Sequence, residues 1–262
     1  MAKKIEDLLN NDAFTTRHIG SSTEQKNQML DYLGFDNLDK LIDEIVPDVI
    51  RRKKPMNIAK GMSELAALKK LRNLARMNIR YKSFIGQGYY NAITPPVIQR
   101  NVQENPSWYT AYTPYQPEVA QGRLEMLLNF QQVITDLTGM DIANASLLDE
   151  STAAAEAVGL CQRTDKNNSI YVFVSNNCNP QTINLIKTRT EPFGIKLLIG
   201  DQKEFLSNIN EKIICGVLPY PGTLGDIIDP SEAISQIHKK EGKAVVVADL
   251  LSLTKLKTPA EL

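Results

Sequence analysis

Apolar positions in the first eighty residues recur at helical spacing. Ser22-Thr-Glu-Gln predicts a helix start, Met29, Leu30 and Leu33 an apolar face, and Gly34 its stop. Leu38, Leu41, Ile42 and Ile45 repeat the pattern up to Pro47. Ser63 is placed to cap a third helix, with Leu65, Leu68, Leu71 and Leu74 as its stripe. The pattern breaks between Tyr81 and Val119, where Gly86, Gly88 and five prolines from Pro95 to Pro117 interrupt regular structure around six aromatics from Tyr89 to Tyr115. Only a short helix from Pro96 to Val102 is expected there. Gln121 to Thr138 then predicts an amphipathic helix stopped by Gly139, with Leu124, Leu127, Leu128, Val133, Ile134 and Leu137 inside.

Beyond it the periods alternate. Ser151–Cys161, Pro180–Thr190, Lys203–Ile209 and Pro230–Glu241 read as helices. Between and after them, Ile170–Val174, Ile195–Ile199, Ile213–Leu218 and Ala244–Ala248 read as strands apolar on both faces. Such strands spaced by helices predict an α/β fold with a mainly parallel, doubly wound sheet. The expected organisation is a helical segment over 1–80, an aromatic, proline-rich loop region over 81–120 and an α/β domain over 121–262. Nothing in the sequence closes that domain after the last strand, so the chain reads as truncated, with an exposed apolar sheet edge.

Composition narrows the function. Thirty basic residues balance thirty acidic ones, which gives no reason to expect a nucleic acid or anionic membrane partner. No apolar run suits a bilayer, and the first residues resemble neither a secretory signal nor a transit peptide. Cys161, Cys178 and Cys215 are odd in number and lack CxxC spacing, which predicts no disulfide framework, no metal site and a cytoplasmic setting. Cys178 has no basic neighbour and reads as an inert thiol. His18 reads as structural.

Three features are placed to carry chemistry. The helix start at Asp149-Glu-Ser-Thr offers free amides to an anion, or is an ordinary cap, the reading its two carboxylates favour. Asp249, after the last strand, suits a protonated pyridine nitrogen or caps the next turn; composition does not separate these. The stretches Phe84-Ile-Gly-Gln-Gly-Tyr-Tyr-Asn and Trp108-Tyr-Thr-Ala-Tyr-Thr-Pro-Tyr concentrate phenols and amides able to bind a small carboxylate or line a channel. A purely structural wrap is the alternative. Gly86-Gln-Gly lacks the third glycine and the strand–turn–helix setting of a nucleotide loop.

Four collinear stretches resemble the glycine decarboxylase (P-protein) family of the glycine cleavage system. They are Phe14-Thr-Thr-Arg-His-Ile-Gly, Phe84-Ile-Gly-Gln-Gly-Tyr-Tyr-Asn, Tyr112-Thr-Pro-Tyr-Gln-Pro-Glu-Val-Ala-Gln-Gly-Arg-Leu-Glu and Leu137-Thr-Gly-Met-Asp-Ile-Ala-Asn-Ala-Ser-Leu-Leu-Asp-Glu. The resemblance implies a fold-type-I, transferase-like large domain in an enzyme that uses pyridoxal 5'-phosphate. That enzyme decarboxylates glycine and passes its aminomethyl group to the lipoyl arm of H-protein. It further implies a dimer of two homologous halves or subunits, with the Schiff-base lysine in the C-terminal half. This chain would be the half without that lysine and hold no catalytic residue of its own.

By position, the resemblance assigns Tyr89, Tyr90, Tyr112, Tyr115 and Glu118 to loops facing substrate or channel. It places Ser151, Thr152, Asn179 and Asp249 near the cofactor, Asp249 as a remnant of the pyridine-binding aspartate. Ser151 stands where the family usually has glycine and Asn179 where it usually has histidine. Two alternatives of other classes remain: an interaction or regulatory module pairing with a lysine-bearing half, and an independent enzyme using Lys255 or Lys257.

Overall fold

The computed structural model describes residues 13–109 and 113–262. The chain divides into two compact units, residues 1–82 and 83–262.

The first unit is helical: α1 (Ala13–His18), α2 (Thr23–Leu33), α3 (Leu38–Ile45) and α4 (Glu64–Arg76). The predicted starts and stops hold because local chemistry sets them. Ser22 and Gln25 form a reciprocal capping box, and Gly34 ends α2 at φ 78°, a left-handed conformation that costs glycine little. Asn37 caps α3 and Ser63 caps α4. One guanidinium nitrogen of Arg17 in α1 donates to both carboxylate oxygens of Glu64, in the first turn of α4, at 2.9 Å. The His18 ring stacks on Phe14 with centroids 4.4 Å apart. Among the described residues of this unit only Leu30 is buried, and the apolar stripe of α4 lies open, Leu65 at 75 % exposure.

The second unit begins with irregular chain. The helix expected from Pro96 is one α-turn, Pro96–Ile98, that widens into a π-turn over Gln99–Gln103, where the Glu104 amide reaches back to the Gln99 carbonyl. Then come α5 (Gln121–Thr138) and α6 (Glu150–Arg163), followed by β1 (Tyr171–Ser175), α7 (Pro180–Thr190) and β2 (Lys196–Gly200). The short α8 (Glu204–Asn208) leads to β3 (Cys215–Tyr220), α9 (Ser231–Lys239) and β4 (Lys243–Ala248). The four strands are all parallel, in the order β2-β1-β3-β4.

Side-chain alternation divides the core into two layers. Val172, Val174, Cys215 and Val217 pack with Ala154, Val158 and Ile186 of α6 and α7. Phe173 and Leu218 pack on the other face with Ile213, Ile234 and Ile237. The predicted doubly wound sheet is therefore observed. After β1 the chain crosses one face to reach β2; it returns over the other face to β3 and continues that way to β4. The two directions diverge between β1 and β3, the switch point at which ligands bind in such sheets.

Three expectations are corrected. β3 begins two residues later than predicted and runs on through Pro219. Ladder pairing to β1 ends at Val217, so a residue without an N–H is tolerated beyond it. The apolar residues of α5 were expected inside, yet none is buried, with Leu128 at 65 % exposure. Both sheet faces are already covered by the other helices, so α5 packs mainly on the turns Pro117–Val119 and Ser252–Thr254. β4 stands at the sheet edge, but its apolar residues are half-buried and not exposed as the sequence suggested.

Candidate functional site: the crevice at the sheet switch point

The loops leaving β1 and β3 meet at the switch point and are tied together there. The Thr223 amide donates to the Asn177 carbonyl at 2.9 Å, and the Asn177 side-chain amide donates to the Asp226 carboxylate. Gly222 lets the two loops close, because a Cβ there would sit 2.1 Å from Asn177 Nδ2. Beside this seam lies a cavity of about 140 Å³. Its walls come from Cys178 and Asn179 after β1, Pro221, Gly222 and Gly225 after β3, Asp249 after β4, Glu150 of α6, and Gly88 and Tyr90 of the aromatic loop.

The aromatic loop enters this crevice. Gly88 has φ +88°, which favours glycine, and a Cβ on it would stand 1.8 Å from Asn179 Oδ1, so any larger residue would have to displace that side chain. On either side of the contact the neighbouring phenols are tied. Tyr90 donates to the Thr223 carbonyl at 3.1 Å, and the Tyr89 hydroxyl lies 3.4 Å from Ser151 Oγ. Ser151 and Thr182 are fully buried, their oxygens 3.1 Å apart. Thr182 donates to Glu150 Oε1 at 3.3 Å, and Asn179 Nδ2 donates to the same oxygen at 2.9 Å.

The anion site is closed from within. Asp149, and not a hydroxyl residue, caps α6, accepting from the Thr152 amide at 2.7 Å. Hydrogen bonds from Thr152, first its side chain and then its amide, hold the Asp149 carboxyl below its usual range, so the helix start already carries a full negative charge. The neighbouring Glu150 carboxylate faces Asn179 and Thr182. Asp249 Oδ1 accepts from the Leu251 amide at 3.0 Å and its carbonyl accepts from Ser252, so its side chain caps the next turn. The Cys178 thiol is buried, and burial together with Glu150 pushes its pKa up to about 12.

Pyridoxal phosphate does not fit these residues. The cavity is smaller than the roughly 300 Å³ at which ligand pockets begin. The walls carry the carboxylates of Glu150 and Asp249, which would repel a phosphate, and no lysine lines them. Among the described residues no group of His, Cys, Asp or Glu is arranged to hold a metal ion.

The structure thus brings Tyr90, Asn179 and Asp249 to the walls of one crevice and links Tyr89 and Ser151 to it through Thr182 and Glu150, whereas Thr152 only donates its amide to the Asp149 cap. Tyr115 and Glu118 are elsewhere: Tyr115 lines an open depression with Thr113, Gln116 and Arg123, and Glu118 stands exposed nearby. Tyr112 lies outside the described residues. Sequence reasoning missed Thr182, Thr223 and the Asn177–Asp226 pair. The available signal was topological, since all follow strands that flank the switch point.

Comparison with known proteins agrees with this architecture. The family model described as "Glycine cleavage system P-protein" matches residues 16–262. The glycine dehydrogenase (decarboxylating) of Pelagibacter ubique (strain HTCC1062) is 62 % identical over 249 residues, which are 95 % of this chain and 26 % of that protein. The corresponding protein of Agrobacterium fabrum (strain C58 / ATCC 33970) is 51 % identical over 251 residues, again 26 % of its length. The chain therefore spans about a quarter of the length of these relatives. A crystal structure titled glycine decarboxylase (P-protein) of the glycine cleavage system, in inhibitor-bound form, superposes with a TM-score of 0.80 at 33 % identity. The superposition covers 93 % of this chain and 55 % of that one. With the family model matching residues 16–262, the chain belongs to the glycine cleavage system P-protein family.

Proposed function

We propose that this chain is the N-terminal portion of a cytoplasmic glycine dehydrogenase of the glycine cleavage system. It shapes the active site and a dimer interface of an enzyme whose Schiff-base chemistry lies in other residues. The complete protein decarboxylates glycine and transfers the aminomethyl group to the lipoyl arm of H-protein. Pyridoxal 5'-phosphate would be held by the C-terminal half or a second subunit. The observation that carries this reading is the self-filled crevice: carboxylates and a tyrosine loop occupy the place a cofactor would need. Tyr89, Tyr90, Tyr112, Tyr115 and Glu118 then serve as walls for the substrate or its channel. Exposed apolar faces on α4 and α5 supply surface for the remaining three quarters of such a protein.

The test joins this chain in frame to the rest of the Pelagibacter protein and follows glycine–bicarbonate carbon exchange with lipoylated H-protein. Activity in the joined protein, and none in either piece alone, is expected. A visible-range cofactor absorbance on residues 1–262 alone would refute the assignment, and its loss on replacing Lys255 or Lys257 would revive the independent enzyme.

A further inference from the structure

Proton counting along the buried hydroxyls gives the crevice a direction. Glu150, as a carboxylate, only accepts, so Thr182 spends its one proton on Glu150 Oε1. Thr182 Oγ1 must then accept from Ser151, 3.1 Å away. Ser151 in turn has no proton left for Tyr89, so the contact at 3.4 Å requires the phenol to donate inward. Both central hydroxyls are fully buried, where an unpaired polar group is costly, and that cost holds the order in place. Asn179 completes the line by donating to Glu150 from the side that Gly88 touches.

We infer that Thr182, acting through Ser151, is a positioning residue that fixes the Tyr89 hydroxyl as a donor into the protein. The phenol oxygen, on a half-exposed residue, keeps only lone pairs for an incoming ligand. Tyr89 therefore meets the ammonium end of an amino acid and not its carboxylate. This inference rests on the reading that Tyr89 walls the glycine path.

The test uses the complete P-protein bearing this chain, with Y89F, T182V, their double variant and T182S. Glycine kinetics, thermal midpoints and competition by methylamine and acetate are measured for each. Y89F and T182V should each raise the glycine KM about tenfold, the factor one hydrogen bond supplies, with kcat little changed. The double variant should be no worse than the poorer single one, because both remove the same interaction. T182S keeps the hydroxyl and should restore KM. Y89F should weaken methylamine more than acetate. Additive effects, a T182S as impaired as T182V, or a larger loss for acetate would each overturn the inference. If Y89F leaves KM unchanged, the channel-wall reading fails instead. The midpoints then decide the relay alone: non-additive losses uphold it and additive losses sink it.

Discussion

Replacing Gly88 with alanine sets two costs against each other at the crevice. The new Cβ would lie 1.8 Å from Asn179 Oδ1 and 2.9 Å from Thr223 Oγ1. Alanine at φ +88° also costs about 1–2 kcal/mol relative to its preferred conformations. If the loop stays, Asn179 must swing away and give up its bond to Glu150, about 1 kcal/mol for an exposed charge-assisted pair. Staying therefore costs about 2–3 kcal/mol. The loop itself is held by the Tyr89–Ser151 and Tyr90–Thr223 hydrogen bonds, about 0.5–1 kcal/mol each. Leaving is cheaper than staying, so the loop should lift off while the sheet remains folded. Chymotrypsin cleavage at Tyr89 and Tyr90 reads the lifted fraction, and cleavage should accelerate about tenfold or more. The thermal midpoint of the sheet should move by no more than a degree or two. A large fall in midpoint with unchanged cleavage would show that the loop is integral to the core, and the argument would be wrong.

Other consequences are open to simpler assays. In Gly216→Ala the new Cβ would meet Ile237 Cδ1 at 2.3 Å in the centre of the sheet, and overpacking should cost about 1–3 kcal/mol by urea unfolding. A midpoint equal to that of the parent would contradict the packing described between β3 and α9. The Cys178 thiol, with its pKa near 12, stays protonated at pH 8; iodoacetamide should label it only after denaturation. Native labelling there would show that the crevice opens. Hydrogen bonds to Thr152, Ser231 and Thr258 hold Asp149, Asp229 and Glu261 below the usual carboxyl range. Their folded values lie below the unfolded ones, so their stabilisation is present above about pH 4 and is lost as pH falls through the folded values. Asp149→Asn keeps the cap but removes its share of that acid sensitivity, which a series of thermal midpoints from pH 6 to 3 would detect. An identical pH profile in parent and variant would refute the cap's electrostatic part.

Most of the fold was legible because its signals are local. Ser22, Ser63, Gly34 and Gly139 mark helix ends through bonds within one turn, and short continuous apolar, β-branched runs mark the strands. The failures lie where a neighbour decides. Pro219 continues β3 only because β1 has already ended beside it, and α5 leaves Leu128 and Val133 of its predicted stripe exposed and the rest of that stripe half-buried because it packs mainly on two turns and not on the sheet. The site divides the same way. The aromatic loop was conspicuous in composition, whereas its anchors Ser151, Thr182 and Thr223 are ordinary hydroxyl residues.

The sequence by itself determined the element order, the parallel α/β class and the family, since each rests on residue pattern along the chain. It also held the fact that Asp149 and Glu150 open a helix, but not which way their charge would matter. Only the tertiary structure decided that. Strand order brings the ends of β1 and β3 together, and this juxtaposition turns a helix cap, a glycine loop and two buried hydroxyls into one closed crevice. Contacts between residues such as Tyr89 and Ser151, 62 positions apart, depend on the topology of the chain and leave no periodic trace in it.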